Sequence, residues 1–246
     1  MKWNSVCFDL DNTLFSHESA FKRAMKDCFH TLIQPEQGCG HIDFTDFFPV
    51  FKRNSDRYWG LFEQKKVSGR EYRRMRFNET MRELSLPLGE AEADRFHERY
   101  YQIVDDFTVP FAGLYDLFEM LSEHNVQLGI ITNGTIDTQY NKLKKLAVSD
   151  WITPDRMIVS EEAGCAKPDP SIFRLAEQQF ELNEPRLFIG DSWKHDVAGA
   201  IDAGWDSLFM NTRKENRHTS HEPVAECVTL KEVKTFFELQ VSGGGR

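Results

Sequence analysis

Phe8-Asp9-Leu10-Asp11-Asn12-Thr13 follows the apolar residues Val6 and Cys7 and sets two carboxylates two positions apart where an apolar run stops. Side chains of an extended segment repeat every second residue, so Asp9 and Asp11 leave the backbone on one side and share a site. Like charges held close raise the pKa of one carboxyl unless a cation offsets them. The pair therefore calls for a divalent metal, or for one ionised and one proton-carrying carboxyl. The same residues also suit a plain turn with a helix N-cap, where Asp, Asn and Thr are common. The rest of the chain decides between these readings.

Other short apolar runs end in the same way. Leu128-Gly129-Ile130-Ile131 stops at Thr132, Met157-Ile158-Val159 at Ser160, Leu187-Phe188-Ile189 at Gly190-Asp191, and Leu208-Phe209-Met210 at Asn211. They have the pattern of buried parallel strands. Helical spacing falls between them, in Leu114, Leu117, Phe118 and Leu121, and again in Ile172, Leu175, Ala176 and Phe180. The alternation predicts an α/β fold with a doubly wound, Rossmann-like parallel sheet. Ligands of such sheets bind beyond the carboxyl ends of the strands, and every polar cluster named here falls at such an end.

Residues 16–106 break the alternation. Phe21, Ala24, Met25, Cys28, Phe29 and Leu32 form an amphipathic helical stripe. Further helices are expected over Phe44–Lys52, Asn54–Gln64, Ser68–Leu84 and Glu90–Asp105, with Leu86-Pro87-Leu88-Gly89 as punctuation. The expected organisation is a core of residues 1–15 and 107–240, a helical cap of residues 16–106 over the strand ends, and a flexible tail at 241–246.

Composition narrows the function. With 30 Lys+Arg against 39 Asp+Glu the formal charge is −9 and the pI is near 5.4, which weighs against a nucleic-acid polymer as partner. No apolar stretch is long enough to span a membrane, and Met1-Lys2-Trp3-Asn4 opens no signal peptide, so a cytoplasmic protein is expected. Cysteines 7, 28, 39, 165 and 227 show no Cys-x-x-Cys spacing, so neither a disulfide framework nor a structural zinc site is favoured.

Three later clusters bear on the Asp pair. In Ile131-Thr132-Asn133-Gly134-Thr135 a hydroxyl and backbone amides stand at a strand end, where they can hold a phosphate or carboxylate oxygen, though Asn-Gly is also a plain turn. In Lys167-Pro168-Asp169-Pro170 the proline restrains Lys167 to an extended backbone and so fixes where its ammonium group starts. Gly190-Asp191-Ser192-Trp193-Lys194-His195-Asp196 offers Asp191 to a metal, with Asp196 either ligating or orienting its neighbours. His195, one histidine without a partner, reads as a helix-start residue.

Taken together and in this order, the Asp-x-Asp-x-Thr loop, the Thr after the second core strand, the Lys-Pro step and the Gly-Asp-Ser-x4-Asp run resemble the haloacid dehalogenase superfamily of hydrolases. The resemblance spans about residues 4–212, and the insertion looks like the helical cap of the family's first subgroup. It implies a Mg²⁺-dependent phosphatase. Asp9 would be the nucleophile and Asp11 the acid and then the base. Thr132, Asn133 through its backbone amide, and Lys167 would hold phosphate. Asp9, the Asp11 carbonyl and Asp191 would hold the metal, with Ser192 and Asp196 supporting them.

Haloalkanoate dehalogenases of the superfamily lack an acid at the position of Asp11, and sugar phosphomutases commonly carry Asp-Gly where Asn12-Thr13 stands, so hydrolysis of a small phosphorylated metabolite is favoured. Asn54, Tyr58 and Trp59, with Val67-Ser68-Gly69-Arg70, look similar to the cap of nucleotidase-like members, which makes a nucleoside 5′-monophosphate the candidate substrate and Asn54, Trp59 and Arg70 candidate specificity residues. Phosphoserine and sugar phosphates are the alternatives, and a catalytically silent binding relative is the alternative of another class. Both monomer and homodimer are compatible with the sequence.

Overall fold

The computed structural model describes residues 1–64 and 66–243, and the chain divides into two compact units, Met1–His17 with the chain from Thr108 onward, and Glu18–Phe107. The first unit is built on strands β1 (Ser5–Phe8), β2 (Gln127–Thr132), β3 (Met157–Val159), β4 (Arg186–Gly190), β5 (Asp206–Met210) and β6 (Ala225–Cys227). They form one parallel sheet in the order β3-β2-β1-β4-β5-β6. Val6, Cys7 and Phe8 are fully buried, as a strand covered on both faces requires. Because β1 pairs with β2 on one side and β4 on the other, the strand order reverses beside it, and the residues just past β1 and β4 face the switch point.

The predicted α/β class and the five apolar strands are observed. The sixth strand, β6, has no apolar run to announce it, since Glu226 at its centre is exposed. Past β1 the chain leaves the sheet unit and comes back through one narrow place. Phe15 pairs with Pro110 in an antiparallel bridge, and Phe111 N–H donates to Leu14 O at 2.8 Å.

The second unit is helical: α1 (His17–Cys28, its first residue in the sheet unit) runs into a π-helical turn at Phe29–Ile33, followed by α2 (Phe44–Glu63), α3 (Gly69–Glu83) and α4 (Glu90–Ile103). Its core is aromatic, with Phe29, Phe47, Phe51, Phe77 and Phe96 fully buried. Each such ring contributes roughly 1.5–3 kcal/mol by leaving water. The two helices expected over Phe44–Lys52 and Asn54–Gln64 are one helix that continues through Pro49. Phe44, Phe47, Phe51, Asn54 and Ser55 are buried along one face, and that unbroken stripe outweighs the hydrogen bond lost at the proline.

The sheet is flanked by α5 (Leu114–Glu123), α6 (Ile136–Leu146), the single turn α7 (Ser160–Ala163), α8 (Pro170–Gln179), the turn α9 (Gly199–Asp202) and α10 (Leu230–Gly243). The flexible tail expected from 241 is not observed over its first three residues. Residues 241–243 complete α10, since no breaker precedes Gly243, and 244–246 lie outside the described residues. Cys7, Cys28, Cys39, Cys165 and Cys227 are free thiols. Among the described residues no helix is long and apolar enough to cross a membrane.

Candidate active site

Asp9 follows β1 directly, and its N–H donates to Ile189 O of β4 at 2.8 Å, which pins the residue at the switch point. Its carboxylate accepts from Lys167 Nζ at 2.6 Å through Oδ1 and from Thr13 Oγ1 at 3.3 Å through Oδ2. Burial pushes the Asp9 carboxyl up, to about 7, although the Lys167 ammonium pulls it down and the Asp196 and Asp11 carboxylates push it further up.

Lys167 is buried and bridges two acids, with Nζ also 2.7 Å from Asp196 Oδ1. Burial by itself lowers its pKa, but Asp196 and Asp9 outweigh that and raise it. Asn133 supplies the positioning. Its Nδ2 donates to Lys167 O at 2.9 Å and its Oδ1 accepts from Lys167 N–H at 2.9 Å, a reciprocal clamp on one residue's backbone. The sequence pointed to the Asn133 backbone amide; the side chain fixes where the lysine begins.

Asp191 closes β4. Burial, then Asp9 and Asp196, push its carboxyl to about 8, against Arg213 and Lys167. Arg213 Nε approaches Asp191 Oδ2 to 2.6 Å, yet that buried oxygen receives no aligned hydrogen bond, so the contact is charge proximity alone. Carboxylate oxygens of Asp9, Asp191 and Asp196 lie within 4.8 Å of one another. Three buried acids facing one ammonium group, with one orphaned carboxylate oxygen, form a hard-oxygen set that suits a small divalent cation.

Both oxygens of Asp196 are already engaged, Oδ1 by Lys167 and Oδ2 by Ser192 N–H at 2.9 Å. Gly190 makes room for this: a Cβ there would lie 2.4 Å from Asp196 Cγ and Oδ2. Ser192 caps the π-helical turn Trp193–Ala198, where its Oγ accepts from His195 N–H at 3.4 Å and meets His195 Nδ1 at 3.1 Å.

Asp11 is set apart from Asp9 by its partners. Lys142 Nζ lies 2.8 and 2.9 Å from its two oxygens, Gln139 Nε2 donates to Oδ2 at 3.1 Å, and His17 Nδ1 is 3.4 Å from Oδ1. Burial would raise its carboxyl, but Lys142 and His17 outweigh it and hold the group down at about 2. The two acids of the opening motif thus stand on opposite sides of the ordinary carboxylate range.

The model of the haloacid dehalogenase-like hydrolase family matches residues 3–204. This chain is a member of that family. Over 238 residues it is 26% identical to the pyrimidine 5′-nucleotidase YjjG of Escherichia coli, covering 95% of this chain and 97% of that protein. It is 25% identical to the pyrimidine 5′-nucleotidase PynA of Streptococcus pneumoniae over 95% of this chain and 94% of the other. Among solved structures it is similar to the putative HAD-hydrolase YfnB of Bacillus subtilis bound to magnesium, with a TM-score of 0.79 at 24% identity, over 96% of this chain and 99% of that one. That likeness bears on the fold.

In this haloacid dehalogenase-like hydrolase Asp9, Asp191, Asp196 and Lys167 are brought into one cluster, and Asp11, Thr132 and Gln139 into an adjoining one that Asn133 joins through its carbonyl. Asn54, Trp59 and Arg70 belong to the helical unit. Asn54 is buried there, donating to Thr80 Oγ1 at 3.2 Å and Glu83 Oε1 at 3.1 Å, and Arg70 Nη2 donates to Asp94 Oδ2 at 2.8 Å. Trp59 is 48% exposed and packs on Phe62 and Tyr72 at centroid distances of 5.3 and 5.7 Å. Sequence reasoning missed Gln139, Lys142 and Arg213. The first two are polar residues on the face of α6 that buries Leu143 and Leu146, and Arg213 stands just past β5, at a strand end like the others.

Proposed function

We propose that this chain is a Mg²⁺-dependent phosphatase that hydrolyses a small phosphomonoester, a nucleoside 5′-monophosphate, through an aspartyl-phosphate intermediate. The observation that carries the reading is the buried Asp9, aligned by Lys167 and Thr13, two residues before an acid held by a different cation. An Asp9 carboxylate oxygen attacks phosphorus, and the bond from phosphorus to the leaving oxygen breaks as that oxygen takes the Asp11 proton. Asp11, now ionised, removes a proton from the water that attacks the intermediate. The Asp9–phosphorus bond breaks, releasing inorganic phosphate, and the proton that Asp11 takes from the water balances the one it gave to the leaving oxygen. The ionised Asp11 described above is the form that activates water.

Thr132, Lys167 and the backbone amide of Asn133 bind the phosphate oxygens, and Lys167 offsets the repulsion between Asp9 and an anionic substrate. Asp9, Asp191 and the Asp11 carbonyl would hold Mg²⁺, with Asp196, both of whose oxygens are engaged, orienting Lys167 and the Ser192 loop. When bound, the ion supplies two positive charges where three acids meet. The two relatives named as pyrimidine nucleotidases support the nucleotide as substrate. The composition fits a cytoplasmic enzyme with no polymeric nucleic acid as partner.

Hydrolysis of p-nitrophenyl phosphate with Mg²⁺ and with EDTA, beside Asp9→Asn, tests the reaction. Turnover is expected only with Mg²⁺, and the variant should lose about a thousandfold or more. Turnover of the parent at the level of the variant would sink the enzyme reading. Equal kcat/KM for UMP, dUMP and simple alkyl phosphates would refute the nucleotide preference.

A further inference from the structure

Gln139 is fully buried in α6, and its side-chain amide is hydrogen-bonded to groups of the site. Its amide orientation follows from its neighbours. Oε1 accepts from Lys142 Nζ at 2.7 Å, which turns Nε2 toward Thr132 Oγ1 at 2.5 Å, Asp11 Oδ2 at 3.1 Å and Asn133 O at 3.2 Å. The flipped amide would set oxygen against the Asp11 carboxylate and nitrogen against the Lys142 ammonium.

Two consequences follow for the reacting groups. Thr132 has one hydroxyl hydrogen, and because its oxygen accepts from Gln139, that hydrogen is left to be donated elsewhere. Asp11 in turn is tied through Gln139 and Lys142 to the strand end that carries Thr132. The neighbouring loop leaves space for the amide: a Cβ on Gly134 would lie 2.8 Å from Gln139 Cδ.

We propose that Gln139, anchored by Lys142, is a positioning residue for phosphoryl transfer, aiming the Thr132 hydroxyl hydrogen at a phosphate oxygen and holding the Asp11 carboxyl where it meets the leaving oxygen. The inference rests on the phosphatase reading above. A residue in this role affects substrates unequally. Nitrophenolate leaves with little need of a proton, whereas phenolate needs one more, so a misplaced Asp11 penalises phenyl phosphate more than p-nitrophenyl phosphate. The effect is read in kcat/KM, which reports the steps up to the aspartyl-phosphate, because its later hydrolysis is common to both substrates.

The experiment uses the full-length protein, Gln139→Leu, and Gly134→Ala, which retains the glutamine but crowds it. In each variant kcat/KM for phenyl phosphate should fall at least about tenfold more than for p-nitrophenyl phosphate. Inorganic phosphate should also inhibit more weakly, because the Thr132 hydroxyl is no longer aimed. Equal losses on the two substrates, or none, in the folded variants would overturn the proposal while leaving the phosphatase reading intact. Parent turnover no higher than that of Asp9→Asn would overturn both. Gly134→Ala carries the test should Gln139→Leu fail to fold, since it adds one methyl group and removes no polar group.

Discussion

At Gly190 a single methyl group would occupy space that Asp196 already fills, 2.4 Å from its Cγ. Gly190→Ala is therefore expected to destabilise the protein by about 1–3 kcal/mol, as overpacking does, and to loosen the Lys167 anchor. Urea unfolding beside phosphatase assays checks both effects. Asp191→Asn should abolish the rise in melting temperature that Mg²⁺ is expected to give the parent, because it removes one of the carboxylates that make the cluster attractive to a cation. Residues of this kind were legible in the sequence because each ends an apolar run: Asp9 after Phe8, Thr132 after Ile131, Asp191 after Gly190. Gln139 and Lys142 were not. They lie inside a helix, where a polar residue on the buried face is seen only once the face is known.

Among the elements, α4 carries a titration. His97 is buried, donating from Nε2 to Arg73 O at 3.2 Å and accepting at Nδ1 from Arg76 Nη2 at 3.2 Å. Burial, with the Arg76 charge, pushes its imidazole down to about 2. An unfolded histidine titrates near 6.5, so between these values the unfolded chain binds a proton that the folded chain refuses. The stabilisation is complete above about pH 6.5 and is lost as the pH falls toward 2, at about 1.4 kcal/mol per pH unit. His97→Gln keeps a donor near Nε2 and cannot titrate; urea midpoints between pH 7 and 4 should fall less steeply in that variant than in the parent.

The start of α3 rests on a capping box, in which Ser68 Oγ accepts from Glu71 N–H while Glu71 Oε2 accepts from Ser68 N–H. Ser68→Ala should cost about 1 kcal/mol by the same measurement. Element type followed from periodicity, as the buried Phe21, Ala24, Met25 and Cys28 of α1 show. Continuity did not. The sequence suggests one helix ending at Lys52 and another starting at Asn54, whereas the packed face of α2 runs unbroken from Phe44 to Ser55.

The hydrophobic clusters among the described residues include one of phenylalanines in the helical unit and one around Phe173, Phe188 and Trp205 against the sheet. The alternation of apolar runs and helical stripes gave the second its fold class, whereas β6 escaped notice because an edge strand with a central glutamate has no such signature. The junction between the units has a consequence of its own. The bridge of Phe15 with Pro110 and the hydrogen bond from Phe111 to Leu14 bring the outgoing and returning chain side by side. Any segment whose ends lie equally close can be spliced there without shifting the register of a single strand. The helical insertion is in that sense an exchangeable cassette: another segment could stand in its place while Asp9, Lys167 and Asp191 stay on a frame that the exchange does not touch.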